Sequence, residues 1–580
     1  RQNGGQRGPA LLLADYRRIN VGNATLSAAT FQQGDIVATW LETGRLPATT
    51  AAKDPTGAAS GLLSYRHKTL KPGEHTETDI VLSLTPGLSL PRGVVPSPAF
   101  HLSPDSSASE AFQAWQDESS ARWKTRIGNL GITLPESAQP LLESLTAQLG
   151  YILINRAGPA IQPGTRAYAR SWIRDGSLTS SALLRLGHND VVKEFIEWYA
   201  PHQYANGKIP CVVDWRGADP VPEHDSSGEF IFLVAEYLRY SRDQALAEKM
   251  WPRVLAAASY LDSLRQERRT EAYRQPDRIE FFGLMPPSIS HEGYSAKPMH
   301  SYWDDSFAYK GFTDAAWLAK VLGRPVEAKR WTAVAREFGA DLTASIAATQ
   351  KRHAIDFIAG CADLGDFDAT STTTFFSPTG AAGLVPRPSL DATFERYYKF
   401  FADRRAGAPW EAFTPYEVRN IGAFVHLGWR DRAQELASWF LEYQKPVGWR
   451  QWPEVVYSDD TKQKFLGDLP HTWVGSDFVR SVLDMLLYVR EDGQALVIGA
   501  GVPGAWLEEK PGVAVDRMPT PWGALSYRMS LDAARSGVLR VNIDYLDEMP
   551  PAGIIVRAPG TADVIVTKLP ARLTIPLLKP

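Results

Sequence analysis

The chain has 580 residues, 44% apolar and 22% charged, with a net charge of −3. That is too long for one small core and suits a folded protein of two or three domains. The near-neutral balance without blocks of like charge argues against a nucleic-acid partner, and no apolar run is long enough to span a bilayer as a helix.

Two cysteines, Cys211 and Cys361, allow at most one bridge and lack the paired spacing of a zinc site. The 18 Trp and 21 Tyr serve a large core equally well, or supply flat platforms for the C–H faces of sugar rings. The chain opens on "RQNGGQRGPA" with no Met, which fits a processed or trimmed chain.

Residues 1–125 read as a β domain with a linker. "GDIVATWLETG" (34–44) and "LLSYRHKTLKPGEHTETDIVLSLTP" (62–86) alternate apolar and polar residues between Gly/Pro turns. "GVVPSPAFHLSPDSSAS" (93–109) reads as a linker, and "EAFQAWQDESSARWKTRI" (110–127) as a short helix.

From 126 to 493 the period changes to helical. Four segments share one design: 183–200, 237–257, 318–339 and 424–443 each carry a helix end, a tight polar turn and an amphipathic helix. Repeated αα-hairpins of this kind build helical toroids, here with about eleven helices. Short turns fall on one side. Long aromatic loops at 202–227, 269–300, 354–390, 404–416 and 447–471 fall on the other, where function concentrates. From 494 to 580 strand patterns return, predicting a small antiparallel β domain.

Acidic residues of the long-loop side form four clusters. Arg174–Asp175 opens a buried-looking helix after Trp172, where Asp serves equally as a helix-start cap. "CVVDWRGADPVPEHDSSGEF" holds Trp215, Glu223 and Asp225, the last placed to cap the next helix. "HSYWDDSF" sets Asp304 and Asp305 after Trp303; without a His, Asp or Glu partner at helical spacing they make a poor metal site. A carboxyl beside Trp can instead be held protonated and act as a general acid. The last cluster spans Glu411, Glu417 and Glu454 among Trp410, Tyr416, Trp449 and Trp452, with Glu454 either paired to Arg450 or activating a water. Carboxyls at the inner-helix ends of a ring converge on its axis, and a protonated acid facing an ionised base is the inverting glycosidase arrangement. No G-x-S-x-G, phosphate loop, H-E-x-x-H or dinucleotide turn competes, and no cofactor is called for.

These segments resemble the six-hairpin (α/α)6 glycosidases, particularly their glucoamylase-like branch. "WIRDGS" is similar to that branch's Arg-Asp-Gly motif, "YWDDSFAYKGFTDAAWLAKVLG" to its Trp-acid-acid segment, and "WPEVVYSDD…LPHTW" to the late segment carrying the base. The resemblance implies a mainly α (α/α)6 toroid flanked by an N-terminal β-sandwich-type domain and a small C-terminal β domain. It also implies an inverting, exo-acting bacterial glycosidase with a carbohydrate partner and no metal or cofactor, and a glycan substrate together with the missing start favours the periplasm or secretion. By this mapping Asp304 is the general acid, Glu454 the general base, and Arg174 and Asp175 hold the innermost sugar. Pro470 and Trp473 open the last inner helix, and Trp172, Trp303 and Trp452 wall the site. The chain departs from the family with Asp304–Asp305 for a Glu pair and Val455 after the base. Related families place the acid elsewhere, which makes Glu223 a rival to Asp304 and Glu417 a rival to Glu454. A phosphorylase using His471 and the hydroxyls of 368–380 is the alternative on the same ring. A catalytically dead glycan-binding module is another, and His202, Tyr204 and His224 leave room for a lyase or epimerase.

Overall fold

The computed structural model describes residues 5–8, 11–14, 17–20, 24–34, 36–54, 59–66, 69–76, 81–82, 108–128, 130–291, 293–446, 448–459, 466–532 and 537–577. The chain divides into two units, 1–128 and 129–580.

In the first unit, β1 (Gly5–Gly8), β2 (Leu11–Ala14) and β3 (Arg17–Asn20) form an antiparallel meander, and β4 (Thr25–Ala29) follows it. The strand expected at 34–44 is instead helix α1 (Ile36–Thr43). Its apolar residues Ile36, Val37, Trp40 and Leu41 recur at spacings of three to four, so the helical period wins over the apparent alternation. Strand β5 (Ser60–Ser64) pairs with β4, and β6 (Val81–Leu82) adds to β3. The expected linker at 93–107 lies outside the described residues. Helix α2 (Ala108–Ile127) has 20 residues, longer than the sequence suggested.

The second unit opens on β7 (Ile132–Thr133). Among the described residues twelve α-helices precede the C-terminal sheets: α3 (Gln139–Ile154), α4 (Ile173–Arg185), α5 (Asn189–Tyr199), α6 (Asp225–Ser241), α7 (Gln244–Gln266), α8 (Tyr302–Val321), α9 (Pro325–His353), α10 (Ala369–Thr372), α11 (Arg387–Arg405), α12 (Arg419–Leu427), α13 (Arg430–Glu442) and α14 (Thr472–Leu486). The even-numbered helices from α4 to α14 are the inner staves. Each touches the next, and α14 returns to α4 to close the ring. Burial follows from that position: every residue of α4 and of α14 is buried, whereas α5 and α13 bury only one face. The odd-numbered helices form the outer layer.

The four tight turns lie where the sequence predicts. Gly187, Gly323 and Gly428 take positive φ values of 82°, 69° and 83°, and Arg242 does the same at 59° without a glycine. A left-handed residue just past a helix end satisfies its last carbonyls and reverses the chain at once. Short β-pieces brace the long loops: β8 (Ser171–Trp172), β9 (Val212–Asp214) and β10 (Gly217–Ala218) form one sheet, β11 (Ala412–Phe413) and β12 (Val456–Tyr457) another.

Helix α14 passes directly into β13 (Leu487–Val489), which is followed by β14 (Leu496–Ile498), the short helix α15 (Gly504–Glu508), β15 (Val513–Thr520), β16 (Gly523–Leu531), β17 (Val538–Tyr545), β18 (Ile554–Val556), β19 (Val564–Val566) and β20 (Ala571–Pro576). The two sheets run β20-β17-β16-β15-β7 and β13-β14-β18-β19. The second contains one parallel pair, β14–β18, where the sequence suggested only antiparallel strands. This β layer sits at the short-turn end of the ring: Pro519 reaches the turn at Gly187, and Arg242 pairs with Glu548 at 3.1 Å. The long-loop end is left for chemistry.

His426 of α12 joins ring and sheet. Its ring nitrogens meet Asp484 at 3.4 Å and Glu491 just beyond β13. Burial alone would lower its pKa, but the hydrogen bonds to Asp484 and Glu491 outweigh burial and raise it to about 9. A raised pKa stabilises the fold fully below the ordinary histidine value and loses that contribution as pH climbs through about 9. The melting temperature is therefore expected to fall across that alkaline window, and less so in His426→Gln; equal slopes in both proteins would refute the linkage.

Candidate active site

The first turns of the inner helices deliver the polar side chains of the long-loop end. On α4, Arg174 and Asp175 are both buried. The Arg174 guanidinium donates to Glu223 and, at 3.3 Å, to Asp225 at the start of α6, and lies 5.1 Å from the centre of the Trp473 ring. Burial pulls against the charged guanidinium, but Glu223, Asp225, Asp175 and Glu229 together hold its pKa well above the usual value. Asp225 also accepts the Trp303 indole N–H at 2.8 Å. It is thus a bridge between α4, α6 and α8 rather than a simple cap.

Helix α8 is capped by Ser301, whose hydroxyl accepts the Trp303 amide at 3.3 Å. Three residues after the cap, Asp304 has no exposed surface. It accepts the Ser288 hydroxyl at 2.5 Å and the Ser290 hydroxyl at 2.9 Å. Burial, reinforced by the negative charge of Asp225, pushes its carboxyl well above the usual range despite the two serines. Asp305 accepts the Met285 amide at 2.9 Å and is pushed up by burial alone. Ser290 holds a left-handed φ of 52°, a conformation costing a non-glycine residue roughly 1–3 kcal/mol and common where loops are shaped for function.

Across the ring, half-buried Glu454 accepts hydrogen bonds from the hydroxyls of Tyr168 and, at 3.3 Å, Tyr416. Two features fix its place. Gly467 packs so closely that a Cβ there would lie 2.7 Å from the Glu454 Cβ. Buried Asp468 accepts the amides of Arg166, Ala167 and Tyr168 at 2.7, 3.0 and 3.1 Å, pinning the loop that carries Tyr168. His471, which caps α14, sits 3.4 Å from the Tyr416 hydroxyl, and burial lowers its pKa to about 3, so it is neutral. Aromatic contacts link the two carboxyls: Trp303 meets Trp473 at 6.5 Å, and Trp473 meets Tyr416 at 4.5 Å. Arg419 lies over all three rings, 4.7 to 5.2 Å from their centres.

The ring thus gathers Arg174, Glu223, Asp225, Trp303, Asp304 and Glu454 around one contact network, with Asp175 acting electrostatically on Arg174 and Tyr416. Other sequence candidates lie elsewhere. Glu417 faces α11, tied to Arg404 and, at 2.7 Å, to the Tyr397 hydroxyl. Trp452 is 1% exposed, donates to the Phe440 carbonyl and packs on Phe478; it is core, not a wall, because it sits under the loop. Trp215 is 91% exposed at the β9–β10 tip. Its neighbours Arg216 and Arg170 both bind Asp214, which stiffens that hairpin. Arg450 pairs with Glu143. Tyr204 donates to the Ala218 carbonyl, and His224 is buried with its pKa lowered to about 4, so neither is poised as a base.

Tyr168, Ser288, Ser290 and Arg419 escaped the sequence reading. Each supports a carboxyl or a ring from a distant part of the chain, and no local pattern marks such a partner. Cys211 and Cys361 are both free and buried. Among the described residues no group of three or more His, Cys, Asp or Glu could hold a metal, and no helix is long and apolar enough to cross a membrane.

No family model and no curated protein matches the chain. Solved structures do. The GH78 family rhamnosidase of Bacillus sp. GL1 aligns with a TM-score of 0.50 at 13% identity, over 74% of this chain and 42% of its own. The α-L-rhamnosidase from Dictyoglumus thermophilum aligns at 0.49 and 12%, over 73% and 44%. A structure titled "Glycosidase Wild Type" aligns at 0.43 and 14%, over 60% of this chain and 98% of its own. The chain spans less than half the length of the two rhamnosidases. What it shares with the first of them is the fold, a mainly α toroid accompanied by β domains.

Proposed function

We propose that the chain is an inverting, exo-acting glycoside hydrolase on an oligo- or polysaccharide, with Asp304 as general acid and Glu454 as general base. One observation carries the reading: two carboxyls at the same end of the ring are held in opposite ways. Asp304 is buried and pushed toward its protonated form, whereas Glu454 acts as acceptor to two phenol hydroxyls, the role of an ionised carboxylate. A proton donor and a water-activating base at one end of an aromatic-lined ring are what glycoside hydrolysis with inversion needs. Glu223 suits the acid role less well, since its ion pair with Arg174 favours the charged carboxylate.

In this mechanism Asp304 protonates the glycosidic oxygen while Glu454 takes a proton from water attacking the opposite face of the sugar. The Tyr168 and Tyr416 hydroxyls aim Glu454. Because Asp304 has no exposed surface, the Ser288–Ser290 segment must shift for it to reach the leaving oxygen. Kinship to the glucoamylase-like branch rests on the three sequence segments alone.

A panel of aryl-glycosides and oligosaccharides, assayed with and without phosphate and with NMR of the first-formed anomer, tests the proposal. Phosphate-independent release of the inverted anomer is expected. Strict phosphate dependence would make the chain a phosphorylase, and glycan binding without turnover would make it a binding module.

A further inference from the structure

Inside the ring, one layer below the aromatic floor, lies a second polar region that the proposed chemistry does not use. Residues of α4, α12 and α14, with the segment after α10, line a cavity of about 20 Å³. Arg419 and Arg480 reach it from adjacent staves. Asp477 binds both, accepting Arg419 Nε at 2.6 Å and Arg480 Nη1 at 3.2 Å, and Arg480 Nη2 donates to the Ser377 hydroxyl at 3.1 Å. That leaves Arg419 Nη2 and Arg480 Nε, both buried, and neither meets a hydrogen-bond acceptor among the described residues. The two side chains are only 9% and 8% exposed.

We propose that this cavity binds one small monovalent anion, chloride under ordinary conditions, held between Arg419 and Arg480. Three observations converge. The volume is enough for a water-sized occupant. Two buried guanidinium N–H groups on side chains that line the cavity need an acceptor, and such a group left unpaired is costly. Among the lining side chains Arg419, Arg480 and His426 carry positive charge against Asp477 and Asp484. The next neighbours of Asp484 and His426, Arg185 and Glu491, add one charge of each sign. A buried excess of one charge calls for a counter-ion, and a neutral water cannot supply it.

The site does not rest on the glycosidase reading, and hydrolysis assays bear on it in neither direction. Crystals of the full chain grown in sodium bromide test it directly. An anomalous bromide peak within hydrogen-bonding reach of both Arg419 and Arg480 is expected. In solution, replacing gluconate by chloride at fixed ionic strength should raise the melting temperature, and Arg480→Met should abolish that rise. If the Met variant does not fold, Arg480→Lys, which keeps the charge but removes Nε, carries the comparison and should show a smaller rise. A peak with no anomalous signal at this position, or a chloride-dependent rise unchanged in the variant that folds, would overturn the proposal.

Discussion

Glu454→Gln is expected to cut kcat/KM on any hydrolysed glycoside by roughly 10²–10⁴-fold, the usual worth of a general base, with little change in melting temperature. The amide is nearly isosteric: its oxygen can accept one of the two tyrosine hydroxyls, and its NH2 can donate to the oxygen of the other. What it cannot do is take a proton from water. Because that step occurs only in the transition state, the loss should appear in kcat rather than KM. Asp304→Asn should behave alike on substrates with poor leaving groups and recover part of the rate where the leaving group needs no proton. Near-full hydrolysis by both variants would remove both residues from the chemistry.

The largest stability effect is expected from a glycine far less conspicuous than the carboxylates. Gly228 lies one turn into α6, where that helix crosses α8, and a Cβ there would sit 2.1 Å from the Phe307 carbonyl oxygen. A Cβ on Gly311, the facing residue, would lie 2.9 Å from the Gly228 Cα. Both obstacles are backbone, so the helices themselves must separate. Gly228→Ala should therefore destabilise the second unit by about 3 kcal/mol or more, the upper part of the range for overpacking. The same displacement would part Asp225 from Trp303, whose 2.8 Å hydrogen bond ties these helices. Activity should fall with stability. An unchanged melting temperature would show that the crossing is looser than its geometry implies.

How much of this could be read from the chain depends on how local each signal is. The hairpin repeats were legible because a tight turn and two amphipathic faces are properties of neighbouring residues, and Gly187, Gly323 and Gly428 mark the turns unaided. The segment 34–44 reads as a strand yet folds as a helix because the eight residues Ile36–Thr43, of mixed apolar pattern, satisfy a strand period and a helical one almost equally. At the site, Asp304 and Arg174 could be singled out because charges are conspicuous at the mouths of apolar helices. Trp452 and Glu417 looked equally conspicuous, yet their roles are fixed by Phe440 and Phe478 in one case and by Arg404 in the other. Whether a polar or aromatic residue faces a pocket or an outer helix is decided by partners that sequence spacing does not identify. Tyr168 is the clearest instance: it meets Glu454 across 286 residues of chain.

That long reach has a consequence for how the protein must be made. The stave that closes the ring, α14, is the last to leave the ribosome, and it seats against the first stave: Thr179 meets Ser476, 297 residues further on. Strand β7 likewise waits for β15 before it has a partner. Until then five inner helices, rich in buried side chains, have an open flank that local structure cannot cover. Contacts of such sequence separation form slowly, and exposed apolar flanks invite aggregation during the wait. Nascent chains stalled before α14 should therefore be the species most dependent on chaperones, and the ring and the C-terminal sheets should be acquired together as one late event.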